Sequence, residues 1–131
     1  MTNPEYPVPD RSNYVPNPSK SPENDQVDIG WNEGTLSDGR PFRMECWAQD
    51  QVTMLTIFMS ARGIEDVDDA FFADLLEREG LVRFQPGRRY VSAARWHDVA
   101  GNDLWSVNVV VGDDEGVFVS DSLPLRKYAA P

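Results

Sequence analysis

Apolar and polar residues alternate most regularly in PFRMECWAQDQVTMLTIFMSA, residues 41–61, and this alternation predicts two antiparallel strands joined at Asp50 and Gln51. A turn there sets Phe42 opposite Met59, Met44 opposite Ile57, Cys46 opposite Leu55 and Ala48 opposite Thr53, a set that can all face a core. The reverse face carries Arg43, Glu45, Trp47 and Gln49 against Phe58, Thr56, Met54 and Val52. One buried and one amphipathic face is the expectation for an antiparallel sheet covered chiefly on one side. Just upstream, TLSDGRPF holds Asp38-Gly39 between short extended pieces, a hairpin signal because glycine accepts the positive φ of a tight turn.

The period changes in IEDVDDAFFADLLEREG. Asp66 suits an N-cap, Asp68 and Asp69 suit the first turn of a helix, and Gly80 suits its C-terminal stop. At helical spacing Val67, Phe71, Phe72, Leu75 and Leu76 form a core-facing arc, with Asp69, Ala70, Ala73, Asp74 and Glu77 opposite. Beyond it come a short strand LVRF, the turn QPGRR, two long extended runs RYVSAARWHDV and DLWSVNVVV around AGN, and a last run GVFVSD after GDDEG. A turn at Gly101-Asn102 places Trp96, Ala94 and Ser92 on one face with Trp105, Val107 and Val109, and His97 and Arg95 on the other with Ser106 and Asn108. The expected fold is α+β: an antiparallel β-meander sheet of about six to seven strands with one amphipathic helix packed across one face.

Residues 1–28 read differently. They hold six of the ten prolines and almost no aliphatic side chains, so they form an extended arm, pinned at Tyr6, Val8, Tyr14 and Val15, ahead of a single domain over 29–131. The first ten residues lack a basic stretch followed by an apolar one, and no window is apolar enough to span a bilayer, so neither signal peptide nor membrane span is expected. A single cysteine, Cys46, suits a reducing compartment, and the expected address is the cytoplasm. With one histidine as well, no soft-ligand metal site is expected, and no nucleotide-binding glycine motif supports a cofactor.

Charge changes the functional picture. Twenty-two acids against twelve bases give −10 at pH 7 and a pI near 4.4. That disfavours nucleic acid and anionic lipid and favours a basic protein partner. The acids collect on the outer helix face, at Asp69, Asp74 and Glu77, and in the turn at Asp113, Asp114 and Glu115. Five of the bases cluster from Arg78 to Arg95, which makes Arg88, Arg89 and Arg95 candidates for an anion or an acidic partner.

Candidate chemistry is sparse. His97 stands beside Asp98, but neighbours on a strand point to opposite faces and cannot make the hydrogen bond of a base and its orienting acid. His97 alone is the one weak catalytic candidate. No nucleophile elbow occurs, and Cys46 sits at a core position. Trp47, Met54 and Phe58 form an apolar patch with a polar rim, the pattern of an interaction surface.

The leading expectation is a non-enzymatic acidic binding module, of the inhibitor, immunity or antitoxin-like kind, that masks a basic partner. One alternative is a small-molecule-binding protein or small enzyme with a pocket between sheet and helix near His97. Another is a structural subunit that assembles, as a homodimer, through its N-terminal arm.

Overall fold

The computed structural model describes residues 6–9, 27–49, 52–88, 90–98, 100–112 and 117–119. In chain order the elements are β1 (Val27–Thr35), β2 (Pro41–Gln49), β3 (Val52–Ser60), α1 (Asp69–Arg78), β4 (Val82–Phe84), β5 (Ser92–His97), β6 (Asp103–Val111) and β7 (Val117–Val119). This is an α+β arrangement, mostly antiparallel sheet with one helix. It departs from a single meander: five strands form one sheet in the order β1-β2-β3-β6-β5, and β4 pairs with β7 in a separate two-stranded sheet.

The centre of the large sheet follows from composition. VTMLTIFMS in β3 is a nearly continuous apolar run, the character of a strand covered on both faces, and it lies between β2 and β6. The β2–β3 register pairs Phe42 with Met59, Met44 with Ile57, Cys46 with Leu55 and Ala48 with Thr53, as the alternation predicts. The first three pairs are buried together with Val107 and Val109 of β6, while Ala48 and Thr53 are only half-buried. On β1 the same face carries Gly30, Asn32 and Gly34, and the Phe42 ring lies over Gly34.

The helix closes this face. Asp68, rather than Asp66, is the N-cap, its carboxylate accepting the Phe71 N–H. At the other end Gly80 adopts φ 73°, the Gly80 N–H donates to Glu77 O at 3.1 Å and the Leu81 N–H to Leu76 O at 2.9 Å, which is a Schellman ending. Phe72, Leu75 and Leu76 are buried against the sheet, with Phe72 and Trp105 rings 4.9 Å apart. Ala73, expected outside, is buried as well.

Two side-chain contacts hold the helix across the sheet. Asp69 Oδ1 accepts the Ala93 N–H of edge strand β5 at 3.1 Å. Glu79, just past α1, takes the N–H and hydroxyl of Ser37, in the β1–β2 loop, at 2.7 and 2.6 Å. Trp105 adds a third tie, donating from Nε1 to Ile64 O at 2.7 Å.

The β5–β6 hairpin corrects the expected register. His97 pairs with Asp103, Arg95 with Trp105 and Ala93 with Val107, so residues 98–102 form an odd-length loop. Arg95 and His97 therefore share the face of Trp105 and Val107, not that of Ser106 and Asn108. Asp98 builds the loop: its carboxylate accepts the Asn102 N–H at 2.8 Å and the Asn102 side-chain amide at 3.0 Å, and its carbonyl accepts the Gly101 N–H at 3.0 Å. An aspartate that bonds a backbone group several residues on substitutes for a tight two-residue turn. Among the described residues no helix is long and apolar enough to cross a membrane.

Candidate functional site

The residues singled out from the sequence fall on two sides of the large sheet. Strand alternation puts Trp47, Met54 and Phe58 on the face away from α1, with Trp47 directly opposite Met54 and Arg43 opposite Phe58. Asp69, Asp74 and Glu77 are exposed on α1, beyond the opposite face. A single flat contact cannot include both sets.

The reverse face is more covered than an open amphipathic surface would be. Arg43, Glu45 and Thr56 are 8%, 9% and 7% exposed, and Ser60 and Leu104 on the same face are buried too. Trp47, Met54 and Phe58 are half-buried, and Val52 at the edge of the patch is exposed. Three polar side chains form a hydrogen-bonded chain across strands: Trp47 Nε1 donates to Thr56 Oγ1 at 3.0 Å, and that hydroxyl donates to Asn108 Oδ1 at 2.7 Å. Arg43 lies over the Trp31 ring at 4.4 Å and within 3.7 Å of Glu33 and 3.9 Å of Glu45. The two carboxylates balance the buried charge, although the buried Arg43 Nε has no hydrogen-bond partner. The sequence places Arg43 and Glu45 on this face but carries no signal that the face is covered, because the cover is a long-range property.

On the helix side the exposed acids form a ridge. Glu65, Asp66, Asp68, Asp69, Asp74 and Glu77 are all exposed, and no base lies between Arg62 and Arg78. Asp69 also has a structural part in its bond to the Ala93 N–H. Asp113, Asp114 and Glu115 lie outside the described residues.

Arg95, offered as an anion contact, is engaged within the hairpin. Its Nε donates to Asp103 Oδ1 at 3.2 Å, its Nη2 bonds Asp103 Oδ2, and its Nη1 donates to Glu65 O at 3.3 Å. The hydrogen bond to Arg95 holds the Asp103 carboxyl below its ordinary range, and the same bond raises the already high Arg95 value. Arg88 is exposed in the QPGRR turn, its N–H closing the turn onto Gln85 O at 3.0 Å, and Arg89 lies outside the described residues.

His97 is exposed at the end of β5, opposite Asp103. Asp98 is 6% exposed, and both its carboxylate oxygens accept hydrogen bonds from Asn102. Cys46 is a free thiol in the core. Among the described residues no three His, Cys, Asp or Glu side chains stand together as a metal-binding group.

One feature went unread in the sequence. Arg40, at the end of the β1–β2 loop, is 3% exposed, donates from Nε to Asp38 Oδ2 at 3.2 Å and from Nη1 to Ser60 O, and carries the Tyr6 ring on its guanidinium at 4.4 Å. The signal for it was the aromatic residue within the proline-rich arm. No family model, curated protein or solved structure matches this chain.

Proposed function

We propose that this protein is a non-enzymatic binding module whose acidic helix ridge docks on a basic protein partner and masks it, as an inhibitor or immunity protein does. The observation that carries the reading is the six exposed acids between Glu65 and Glu77, with no base among them in the sequence and Arg95 reaching only their Glu65 end, on a chain of net charge −10. A ridge of one sign concentrates field on one side of the molecule, which steers a basic surface into place and raises its association rate. The helix under it is tied at its start to β5 through Asp69 and just past its end to the β1–β2 loop through Glu79 and Ser37, which fixes where the charges are presented. Trp47, Met54 and Phe58 lie on the other side of the sheet and are outside this footprint.

The test is affinity capture from a lysate of the native host with the wild-type chain and with the double variant Asp74→Lys, Glu77→Lys. The reading expects a protein of basic pI that the wild type retains, that salt releases, and that the variant does not retain. Equal retention by wild type and variant, or a partner that is itself acidic, overturns it.

A further inference from the structure

We infer, resting on the ridge reading, that the basic partner docks by strand addition: an extended basic segment pairs with the free edge of β5, beside the Glu65 end of the acidic ridge. β5 is an end strand of the five-stranded sheet. Which of its backbone groups are unused follows from its pairing. The Asp98 N–H donates to Asn102 O at 3.0 Å, and the alternation of an antiparallel ladder carries the bonding to β6 onward through Trp96 and Ala94. Ala93, Arg95 and His97 therefore turn their N–H and C=O groups away from β6. The Ala93 N–H points that way independently, because it donates to Asp69 Oδ1 of α1 at 3.1 Å. Among the described residues no hydrogen bond reaches the outward N–H or C=O of Arg95 or His97, and both residues are exposed, as are Ser92 and Ala94.

Sheet edges are commonly blunted by a bulge, a proline or a lysine. β1, at the other end of the sheet, has a bulge between Asp28 and Gly30. β5 has none of these devices: its register with β6 is regular and its sequence is SAARWH. Its first three side chains are small, which leaves the main chain approachable, and Arg95 is folded back onto Asp103 and Glu65 O.

Charge selects the kind of strand that fits. Glu65, Asp66, Asp68 and Asp69 are exposed on the loop and helix start that flank β5. Asp69 bonds Ala93, and the Glu65 carbonyl lies 3.3 Å from Arg95 Nη1. Since Asp103 balances Arg95, these four carboxylates leave the neighbourhood of the edge negative. A segment bearing lysine or arginine is drawn to that field and an acidic one is repelled. Main-chain bonds to Arg95 and His97 then supply affinity, and alternate side chains supply the choice of partner. A second copy of the chain fits worse, because two chains of net charge −10 repel.

The probes are the peptide KVKVKVK, its counterpart EVEVEVE, and two forms of KVKVKVK methylated on alternate backbone nitrogens, one for each edge of the extended peptide. They are titrated into the full isotope-labelled chain. KVKVKVK is expected to bind, to be released by salt, and to slow exchange of the Arg95 and His97 amides about tenfold, with the Trp96 amide changing little. One methylated form is expected to bind about tenfold more weakly than the parent, and the other as the parent does. His97→Pro, which removes an outward N–H and spares the ladder to β6, is expected to weaken the parent peptide about tenfold, whereas His97→Ala leaves it unchanged. Equal binding of both methylated forms to the wild type overturns strand addition and leaves the ridge reading standing, and it depends on no variant folding. Absence of KVKVKVK binding also overturns strand addition, while capture of a basic protein through Asp74 and Glu77 still carries the ridge reading. Binding of EVEVEVE as tight as that of KVKVKVK overturns both. A wild-type dimer that His97→Pro dissolves overturns strand addition by a partner, since the occupant is then a second copy.

Discussion

The Phe42 ring of β2 lies over Gly34 of β1. A Cβ on residue 34 would meet Phe42 Cε1 and Cζ at 3.0 Å, closer than a packed core accepts without movement. Gly34→Ala is expected to push the ring out of place and lower stability by about 1–2 kcal/mol, read as a lower urea midpoint at unchanged slope. The Arg95–Asp103 pair gives a second residue-scale expectation. The Asp103 carboxyl is held below its ordinary range, so its contribution is present above that range and is lost as pH falls through the lowered value. Asp103→Asn is therefore expected to be less stable than wild type near neutral pH, with the two melting temperatures converging below about pH 4. The gap is small, because both side chains are about one-third exposed and solvent weakens the pair. A gap that widens on acidification would contradict the assignment.

At the scale of elements, the helix is held by its two caps more than by intrinsic preference, since ten residues are too few to be stable alone. Asp68→Ala removes the acceptor for the Phe71 N–H and is expected to cost about 1 kcal/mol, whereas Asp66→Ala is expected to cost little. Thermal melts of the two variants side by side check this. That contrast also shows how far the sequence can be read. The existence of the helix, its Gly80 stop and the β2–β3 register were legible, because each rests on a local pattern repeated over many residues. The choice between Asp66 and Asp68 was not, since both have a preferred cap side chain at an allowed spacing. The β5–β6 faces were misread for a sharper reason: one residue more in a loop reverses every side chain on a strand, and Asp98 closes a loop of odd length where Gly101-Asn102 suggests an even one. The departure of β4 and β7 into their own sheet, and the cover over Arg43 and Glu45, depend on contacts between distant parts of the chain. No local pattern encodes them.

For the molecule as a whole, the central fact is that a five-stranded sheet separates the acidic ridge from Trp47, Met54 and Phe58. If the ridge is the docking surface, the two groups of residues act independently and differently. Reversing Asp74 and Glu77 to lysine changes the long-range field. The association rate constant with a basic partner is then expected to fall about tenfold at low ionic strength, with the dissociation rate nearly unchanged. The difference should shrink as salt shortens the Debye length to about 3 Å near 1 M. Trp47→Ala removes an indole whose N–H is engaged by Thr56 within the reverse face. It is expected to lower the melting temperature while leaving both rate constants as they were. The combined variant should then show the kinetic change of one and the stability change of the other, because sites without shared contacts add. Stopped-flow or surface-plasmon measurement across a salt series separates these outcomes. A faster dissociation on Trp47→Ala would move the docking surface to the other side of the sheet, and a rate constant insensitive to salt would remove charge from the mechanism altogether.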